Sequence, residues 1–410
     1  MATGCAEGLV LQRDGHRGQA VLAFDLESVA YLRGDEGRAA LADVAALSLT
    51  PASLVADITW VRKRFGKRAG ILVETVRLRR KAEDKLPGAA DWLFTDEALQ
   101  QATAGAVAAH RARRLAGARV HDVTCSIGTE LAALADRAAY VVGSDLDPVR
   151  LAMARHNLDV SCTGVPLLRA DALRPATRDT VVLLDPARRR GGRRTFDPRQ
   201  YTPPLDEALD TYTGRDVVVK CAPGIDFGAL HHLGFTGEIE ITSHGGSVRE
   251  ACLWSAGLTT AGVTRRASIL DRGEDLTDAE PDDCPVSSAG RWIVDPDGAI
   301  VRAGLVRHYA ARHGLWQLDP EIAYLSGDRL PEGVRGFEVL EQIAYQEKRL
   351  RQALVSHDAG SVEILVRGVD VDPDSLRRRL KPRGSAAVSV VVTRLGSGTA
   401  SRPTAFICRS

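Results

Sequence analysis

Seven short apolar runs constrain the fold of this chain more than any other feature of its sequence. They lie between residues 119 and 254 and read RVHDV, YVVGSD, VPLLRAD, TVVLLD, DVVVKC, EIEIT and EACLW. Short runs of β-branched and aliphatic residues are typical of buried strands. Because helical or turn-rich stretches separate these runs, we expect a doubly wound α/β fold around a mainly parallel sheet.

Weaker patterns surround this predicted sheet. Residues 91–115 are expected to form one helix, with Thr95 as its N-cap and arginines in its last turn. The acidic stretch at residues 271–289 is typical of a linker or long loop, and Pro296-Asp297-Gly298 indicates a hairpin turn.

The last 80 residues have the pattern of another small α/β unit. We expect a helix near residues 338–355, then a strand at SVEILVRG. A short helix should follow, with Asp372 before it and Pro373 in its first turn. Two strands, AAVSVVVTRL and TAFICR, are expected to complete the unit.

Composition excludes several classes of protein. The seven cysteines are odd in number, scattered and without a CxxC pair, which favours a reducing cytoplasm over a disulfide framework or a zinc site. His231 and His232 have no third ligand at metal spacing, so we expect no metal. No apolar run approaches about 20 residues, so we also expect no membrane segment.

The net charge of +1 conceals three basic clusters. Residues 61–85 hold ten Lys or Arg against three acids, residues 188–199 hold six arginines, and residues 377–383 hold five cations. Clustered cations on a nearly neutral chain favour a surface that binds a polyanion such as RNA. Arginine supplies 47 of the 54 cations, so a codon bias is the alternative explanation.

The segment RVHDVTCSIGTELAALA, residues 119–135, predicts a strand, a turn and a helix. The turn contains only Gly128, so the G-x-G-x-x-G pattern of dinucleotide folds is absent. S-adenosylmethionine needs less glycine because it carries no phosphate. Asp122 is placed for its ammonium group, and amides near Ser126 could bind its carboxylate.

The next strands end in acids that fit the rest of this cofactor. Asp145 is suited to the ribose hydroxyls, Leu146 to the adenine ring and Asp171 to the adenine amino group. Ligands of such sheets bind at the carboxyl ends of the strands. The predicted cofactor-binding residues are Asp122, Thr124, Ser126, Gly128, Asp145, Leu146, Asp171 and Ala172.

Over roughly residues 90–260 the chain resembles class I S-adenosylmethionine-dependent methyltransferases, and GSDLDPVRLAMARHN is the most typical stretch. The resemblance implies a Rossmann-like domain with a seven-stranded, mainly parallel sheet. The last 80 residues resemble the THUMP-like domain of some bacterial methyltransferases, and true THUMP domains bind tRNA or rRNA. We therefore divide the chain into a largely helical region at 1–115, a methyltransferase domain at 116–260, a linker with a β-rich segment at 261–330, and a THUMP-like domain at 331–410.

In this family the fourth strand faces the transferable methyl group, and here it leads into VVLLDPARRRGG. The resemblance implies that Asp185 and Pro186 border the acceptor and take part in catalysis. Many amino-group methylases place an aromatic residue two positions after this proline, whereas this chain has Arg188 there, and Phe196 is the nearby candidate. The arginines expected to hold RNA phosphates are Arg188, Arg189, Arg190, Arg193 and Arg194, with a solvated loop as the alternative.

Three other residues near this edge have competing interpretations. LLDPAR also resembles the motif of RNA uracil-C5 methyltransferases, which makes Cys221 a candidate nucleophile, but a small buried cysteine is the preferred interpretation. Lys220 is expected in an ion pair rather than as a catalytic base, and His121 as a packed, hydrogen-bonded histidine.

Three functions remain open from the sequence. The leading hypothesis is a methyltransferase that modifies a base in rRNA or tRNA. The second is a methyltransferase for a small molecule or a protein, and the third is a non-catalytic RNA-binding assembly factor. A fold alone does not identify the substrate.

Overall fold

A computed structural model describes residues 24–161, 164–190, 193–195, 197–396, 398 and 401–409. The chain divides into two units. Unit one holds residues 1–236 and 253–255, and unit two holds residues 237–252 and 256–410.

The described part of unit one begins with six helices, which confirms a helical region before the sheet. They are α1 (Leu26–Arg33), α2 (Asp35–Ala45), α3 (Leu54–Phe65), α4 (Ala69–Ala82), α5 (Asp96–Gln101) and α6 (Gly105–Arg114). The apolar faces of α1 to α5 share one core that includes Leu32, Leu41, Leu72, Val76 and Leu99. Burial of these faces, rather than intrinsic helix propensity, supplies most of the stability of such short helices.

The prediction of one helix over residues 91–115 is wrong, because α5 ends at Gln101 and α6 begins at Gly105. Ala102 and Ala104 both have ψ near 139°, which is an extended backbone conformation. Thr95 does cap α5 as expected, since its hydroxyl accepts a hydrogen bond from the Ala98 N–H at 3.0 Å.

A parallel sheet follows these helices in unit one. Its strands are β1 (Arg119–Asp122), β2 (Tyr140–Asp145), β3 (Leu167–Arg169), β4 (Val181–Leu184) and β7 (Val217–Cys221). Two further strands of two residues each, β5 (Arg189–Arg190) and β6 (Arg193–Arg194), lie between β4 and β7 in the chain and pair only with each other. The connecting helices are α7 (Thr129–Leu134), α8 (Pro148–Ser161), α9 (Leu205–Thr211) and α10 (Phe227–His232). The order β3-β2-β1-β4-β7 places β1 between β2 and β4, with all these pairs parallel. All five carboxyl ends therefore lie at one edge, and the strand order reverses beside β1.

Unit two begins with β8 (Gly237–His244), β9 (Ser247–Ser255), β10 (Arg265–Ile269) and β11 (Glu274–Thr277), in the order β11-β10-β8-β9. The last three residues of β9 belong to unit one. Each of the seven apolar runs in the sequence therefore contains a strand, and β10 and β11 are additional.

The predicted linker at 271–289 is wrong for residues 274–277, which form β11 and pair antiparallel with β10. Two features explain the strand. Leu276 is buried, and the surrounding acids are used in ion pairs such as Glu280 with Arg312. Residues 278–289 have no helix or strand apart from an isolated bridge at Val286, so the prediction of a loop is confirmed for that part.

The rest of unit two forms a second sheet in the order β13-β14-β12-β15-β18-β17-β16. Its elements in chain order are β12 (Trp292–Val294), α11 (Gly298–Ala303), α12 (Val306–His313), β13 (Trp316–Asp319), β14 (Ile322–Gly327), β15 (Gly336–Ala344), α13 (Glu347–Ser356), β16 (Ala359–Arg367), α14 (Pro373–Leu380), β17 (Ala386–Leu395) and β18 (Arg402–Arg409).

Two predictions fail here and three are confirmed, among them the strand at SVEILVRG, which is β16. No hairpin forms at residues 296–298, because Asp297 caps α11 by accepting from the Ala299 N–H at 2.8 Å. The helix expected near 338–355 is preceded by strand β15 and begins only at Glu347. Asp372 caps α14 as expected, and the two closing strands form. Among the described residues, no helix is both long and apolar enough to cross a membrane.

Candidate active site

A cavity of about 390 Å³ lies at the carboxyl ends of the parallel strands in unit one. Eight predicted site residues line this cavity, namely Asp122, Thr124, Ser126, Asp145, Leu146, Asp171, Ala172 and Asp185. Gly128 and Pro186 were also predicted, but they are not among the lining residues. The cavity lies where the strand order reverses, which is the usual ligand site of an open α/β sheet.

The turn after β1 is shaped by Gly128. Its φ of 86° lies in the left-handed region that side chains disfavour, and its N–H donates to the Cys125 carbonyl at 2.8 Å. Gly128 therefore gives the turn its backbone shape without forming a wall of the cavity. The Ser126 N–H, expected to be available for a cofactor carboxylate, instead donates to Asp145 Oδ2 at 2.9 Å.

Backbone amides orient the Asp145 carboxylate. While the Ser126 N–H donates to one oxygen, the Asp147 N–H donates to the other at 2.9 Å. Each oxygen retains a second lone pair for a ligand. The adjacent Leu146 side chain is 59% exposed, so it offers apolar surface at the same edge.

The turn after β3 is held in a similar way. Asp171 Oδ1 accepts from the Leu173 N–H at 2.9 Å, and the Tyr212 hydroxyl donates to the Ala172 carbonyl at 2.6 Å. These bonds fix Asp171 and Ala172 beside the cavity.

Opposite charges meet at one side of the cavity in what we call the buried charge cluster, which comprises Arg111, Glu130, Asp185 and Lys220. Arg111 Nη1 lies 2.6 Å from Glu130 Oε1, and Lys220 Nζ lies 3.3 Å from the same oxygen. Lys220 Nζ also donates to Asp185 Oδ2 and to the Thr103 hydroxyl. Lys220 is thus in an ion pair, the interpretation that the sequence favoured.

Burial raises the pKa of Glu130, but the cations Arg111 and Lys220 outweigh it and hold that pKa at about 2. Asp122 has the opposite balance. Its side chain is only 2% exposed, and burial together with repulsion from Glu130 raises its pKa to about 8. Among the acids that line the cavity, Glu130 is therefore firmly ionised, whereas Asp122 favours its neutral form.

Asp185 is anchored at both its backbone and its side chain. Its N–H donates to Thr124 Oγ1 at 2.6 Å, while Lys220 binds Oδ2. The other carboxylate oxygen, Oδ1, is left for a ligand in the cavity.

The arginine-rich segment after Asp185 forms a small antiparallel hairpin, in which Arg189 pairs with Arg194 and Arg190 with Arg193. At its base, Ala187 and Thr202 exchange two backbone hydrogen bonds of 2.9 and 3.0 Å, and both line the cavity. Gly191, Gly192, Phe196 and the side chains of Arg189, Arg190, Arg193 and Arg194 lie outside the described residues.

The surroundings of Cys221 and His121 suit a structural role better than a catalytic one. Burial raises the pKa of the Cys221 thiol to about 12, which disfavours the thiolate that attack on a pyrimidine would need. His121 contacts the Thr177 and Ser144 hydroxyls, both at 2.9 Å, and burial lowers its pKa to about 4. In the described ranges, no group of three or more His, Cys, Asp or Glu side chains could hold a metal ion.

Comparison with known families assigns two parts of the chain. Residues 334–410 match the THUMP domain-like family, and residues 25–82 match a domain of unknown function, DUF8688. The THUMP-like resemblance of the carboxyl-terminal region is therefore confirmed.

Two curated relatives are each 65% identical to this chain over 355 residues, which is 85% of this chain and 99% of the relative. Both are uncharacterised S-adenosylmethionine-dependent methyltransferases of Mycobacterium tuberculosis, one from strain CDC 1551 / Oshkosh and one from strain ATCC 25618 / H37Rv. This chain belongs to the S-adenosylmethionine-dependent methyltransferases.

A solved structure supports the fold of this methyltransferase. The crystal structure of a proposed methyltransferase from Porphyromonas gingivalis W83 aligns with a TM-score of 0.70 at 18% identity and covers 95% of this chain and 100% of that one. The cofactor of the methyltransferase is S-adenosylmethionine, as the names of its relatives state.

The sequence interpretation of the methyltransferase missed Thr103, Arg111 and Glu130. Glu130 stands in the first turn of α7, where an acid is common at any helix start. Thr103 lies in the break between α5 and α6, and Arg111 belongs to an arginine-rich helix end. None of these positions carries a local signal, because their contacts with one another and with Lys220 join residues that are 19 to 117 positions apart.

Proposed function

We propose that this methyltransferase modifies a base in rRNA or tRNA. The observation that carries the RNA substrate is a set of exposed, unneutralised cations in the THUMP-like region. In this region α14 buries Leu376 and Leu380, while its arginines face solvent. The exposed cations of α13, α14 and the following turn that form no ion pair with any described residue are Lys348, Arg349, Arg378, Lys381 and Arg383.

The two helices that carry most of these cations, α13 and α14, contact each other. Arg379 Nε lies 3.0 Å from Glu347 Oε2, and Arg351 donates to the Arg379 carbonyl at 3.2 Å. Cations that no carboxylate neutralises are available for phosphates, and release of counterions would make such binding steeply dependent on salt. The arginine-rich hairpin that starts at Arg188 would place more cations beside the acceptor.

The side chains that line the cavity match the hydrogen-bonding groups of S-adenosylmethionine. We assign Asp145 to the ribose hydroxyls, because its carboxylate is oriented and keeps free lone pairs. Leu146 would pack on the adenine ring and Asp171 would accept from the adenine amino group. Asp122 is buried and forms no ion pair with a described residue. Its carboxylate would accept hydrogen bonds from the ammonium group of the methionine part.

When bound, S-adenosylmethionine supplies a methyl group on a sulfonium, and its transfer requires alignment of the acceptor more than acid–base chemistry. Asp185 provides that alignment with Oδ1, which would accept a hydrogen bond or a proton from the acceptor. The Lys220 ammonium directs its hydrogens at Thr103, Asp185 and Glu130, so it holds Asp185 in place rather than acting as the base. Pro186 is buried and does not line the cavity, so we assign it no contact with the acceptor.

The test uses RNA from a strain that lacks the gene. The purified protein and its Asp185→Ala variant are incubated with methyl-labelled S-adenosylmethionine and with tRNA, 16S rRNA, 23S rRNA or ribosomal precursor particles. We expect label in one RNA class with the wild type, and a rate about 10²–10⁴ lower with Asp185→Ala at unchanged cofactor affinity. An absence of label from all of these RNAs, with cofactor binding intact, would exclude RNA as the acceptor. Normal turnover by Asp185→Ala would show that Asp185 is only a turn residue.

A further inference from the structure

The basic stretch at residues 61–85 separates into two groups once its contacts are known. Most of its cations serve the fold. Arg80 donates to the carbonyls of Ala45, Leu47 and Ser48, and Arg79 donates to those of Asp91 and Trp92. The other cations with partners are Arg64 with Asp43, Arg68 with Glu27, Arg77 with Glu74, Lys81 with Asp96, and Lys85 with the Leu99 and Gln100 carbonyls.

Three cations are left, and they are close in sequence, on α3 and the short helical turn that follows it. Arg62, Lys63 and Lys67 are exposed, and none of them forms an ion pair with a described residue. Since α3 buries Val61 against the helical core, these side chains are directed to solvent.

An aromatic side chain, Trp60, lies one helical turn before Lys63 on α3. Trp60 is 41% exposed, whereas large apolar side chains are buried to a high degree on average. Its ring packs edge-on against Phe65, with centroids 6.2 Å apart, and the Arg64 guanidinium lies 5.5 Å from its centroid. Arg64 is itself held by Asp43, so Trp60 is fixed in place while part of its ring is exposed.

We propose that this α3 surface, defined as Trp60, Arg62, Lys63 and Lys67, binds an RNA strand. The three cations would contact phosphates and Trp60 would stack on a base, which is how proteins bind single strands with little sequence preference. This inference rests on the proposal that RNA is the substrate, and it adds a contact surface remote in sequence from the THUMP-like region.

A second copy of this chain is the alternative occupant. A symmetric contact would bring the α3 surfaces of two copies together, and like charges facing each other destabilise such an interface. A strand of phosphates matches the charge of the surface, so RNA is the better partner.

The experiment measures binding of the full chain to a fluorescein-labelled, unstructured 20-nucleotide RNA by anisotropy at several salt concentrations. Lys63→Gln with Lys67→Gln should weaken binding about tenfold and lower the salt slope by about 1.4, which corresponds to two lost phosphate contacts on a single strand. Trp60→Ala should also weaken binding about tenfold, whereas Trp60→Phe should retain most of the affinity. The matched control is Arg38→Gln with Arg77→Gln, which removes the same charge from two exposed arginines of the same region that have carboxylate partners.

Equal RNA affinity and salt slope in the α3 and control variants would overturn the inference. So would a wild-type dimer that Trp60→Ala dissociates without a change in RNA binding, because the surface would then join two copies. The proposed function is judged separately by methyl transfer. If RNA is labelled but the α3 variants bind it normally, only the surface assignment fails; if α3 variants lose binding but no RNA is labelled, only the function fails.

Discussion

The two sides of the cavity hold their carboxylates by different means. On the amide-held side, Asp145 and Asp171 receive backbone N–H groups from their own or neighbouring turns. On the ion-paired side, Glu130 and Asp185 are held by the side chains of Arg111 and Lys220. Loss of an amide-held carboxylate leaves one or two N–H groups at an open edge, whereas loss of one member of a buried ion pair leaves an uncompensated charge. We therefore expect substitutions on the two sides to affect different quantities, namely ligand affinity and stability.

The largest effect is expected on the ion-paired side. Glu130→Gln should lower the free energy of unfolding by about 3–5 kcal/mol, because Arg111 and Lys220 lose a buried partner. Urea denaturation measures the change. The matched control is Glu27→Gln, the same substitution in the more exposed pair with Arg68, which should cost less than about 1 kcal/mol.

The same prediction has a pH dependence. The pKa of Glu130 is lowered from 4.5 to about 2, so its contribution to stability is present above pH 4.5 and is lost as the pH falls towards 2. The difference in stability between wild type and Glu130→Gln should therefore shrink over that interval. Equal stability of the Glu130→Gln and Glu27→Gln variants at pH 7 would show that the cluster is not a structural unit.

On the amide-held side we expect a smaller effect, and one on affinity. Asp145→Ala should weaken S-adenosylmethionine binding about 100-fold, equivalent to about 2.7 kcal/mol, because the ribose loses its acceptors. Asp147→Ala is the control, since this neighbouring acid caps α8 through the Val149 N–H at 2.8 Å and should change affinity by less than about threefold. Calorimetry that finds the same affinity in Asp145→Ala and wild type would remove Asp145 from the cofactor site.

The smallest effect concerns Asp122, which lies between the two sides. Its pKa of about 8 keeps it mostly protonated at pH 7, and a bound ammonium would favour the ionised form. Cofactor binding should then release a proton, so affinity should rise by up to about tenfold from pH 6.5 to 7.5. Calorimetry in buffers of different ionisation enthalpy measures the proton directly. Retention of the same pH dependence by Asp122→Asn would place the titrating group elsewhere.

The contrast between the two sides also explains what the sequence could predict. The acids at the strand ends were predictable, because parallel strands bring their carboxyl ends to one edge whatever the connecting segments are. This reasoning was enough to predict four residues that line the cavity, namely Asp122, Asp145, Asp171 and Asp185. On the ion-paired side, the ion pair of Lys220 was also predictable. Thr103, Arg111 and Glu130 were not, because their contacts depend on where α5 ends and on how a helix turn faces a distant strand.

Strand β15 shows a second limit of sequence interpretation. Leu340 is an apolar residue that is partly exposed to solvent, and with Phe337 and Ile343 it gives the run a spacing that suggests a helix. Alternate burial is evident only once β15 pairs with β18, where a register shift lies between Val339 and Glu341. Local periodicity was ambiguous, and the pairing partner decided the structure.

The break between α5 and α6 makes the helical region inseparable from the catalytic fold. Ala98, Gln101, Ala102 and Thr103 line the cavity from that region, and the Thr103 hydroxyl accepts a hydrogen from Lys220 on β7. A fragment that began at residue 116 would keep every strand-end aspartate of the cavity, yet it would lack one wall and two partners of the buried charges. Removal or lengthening of α5 or α6 would therefore change one wall of the cavity and the partners of Lys220 and Glu130.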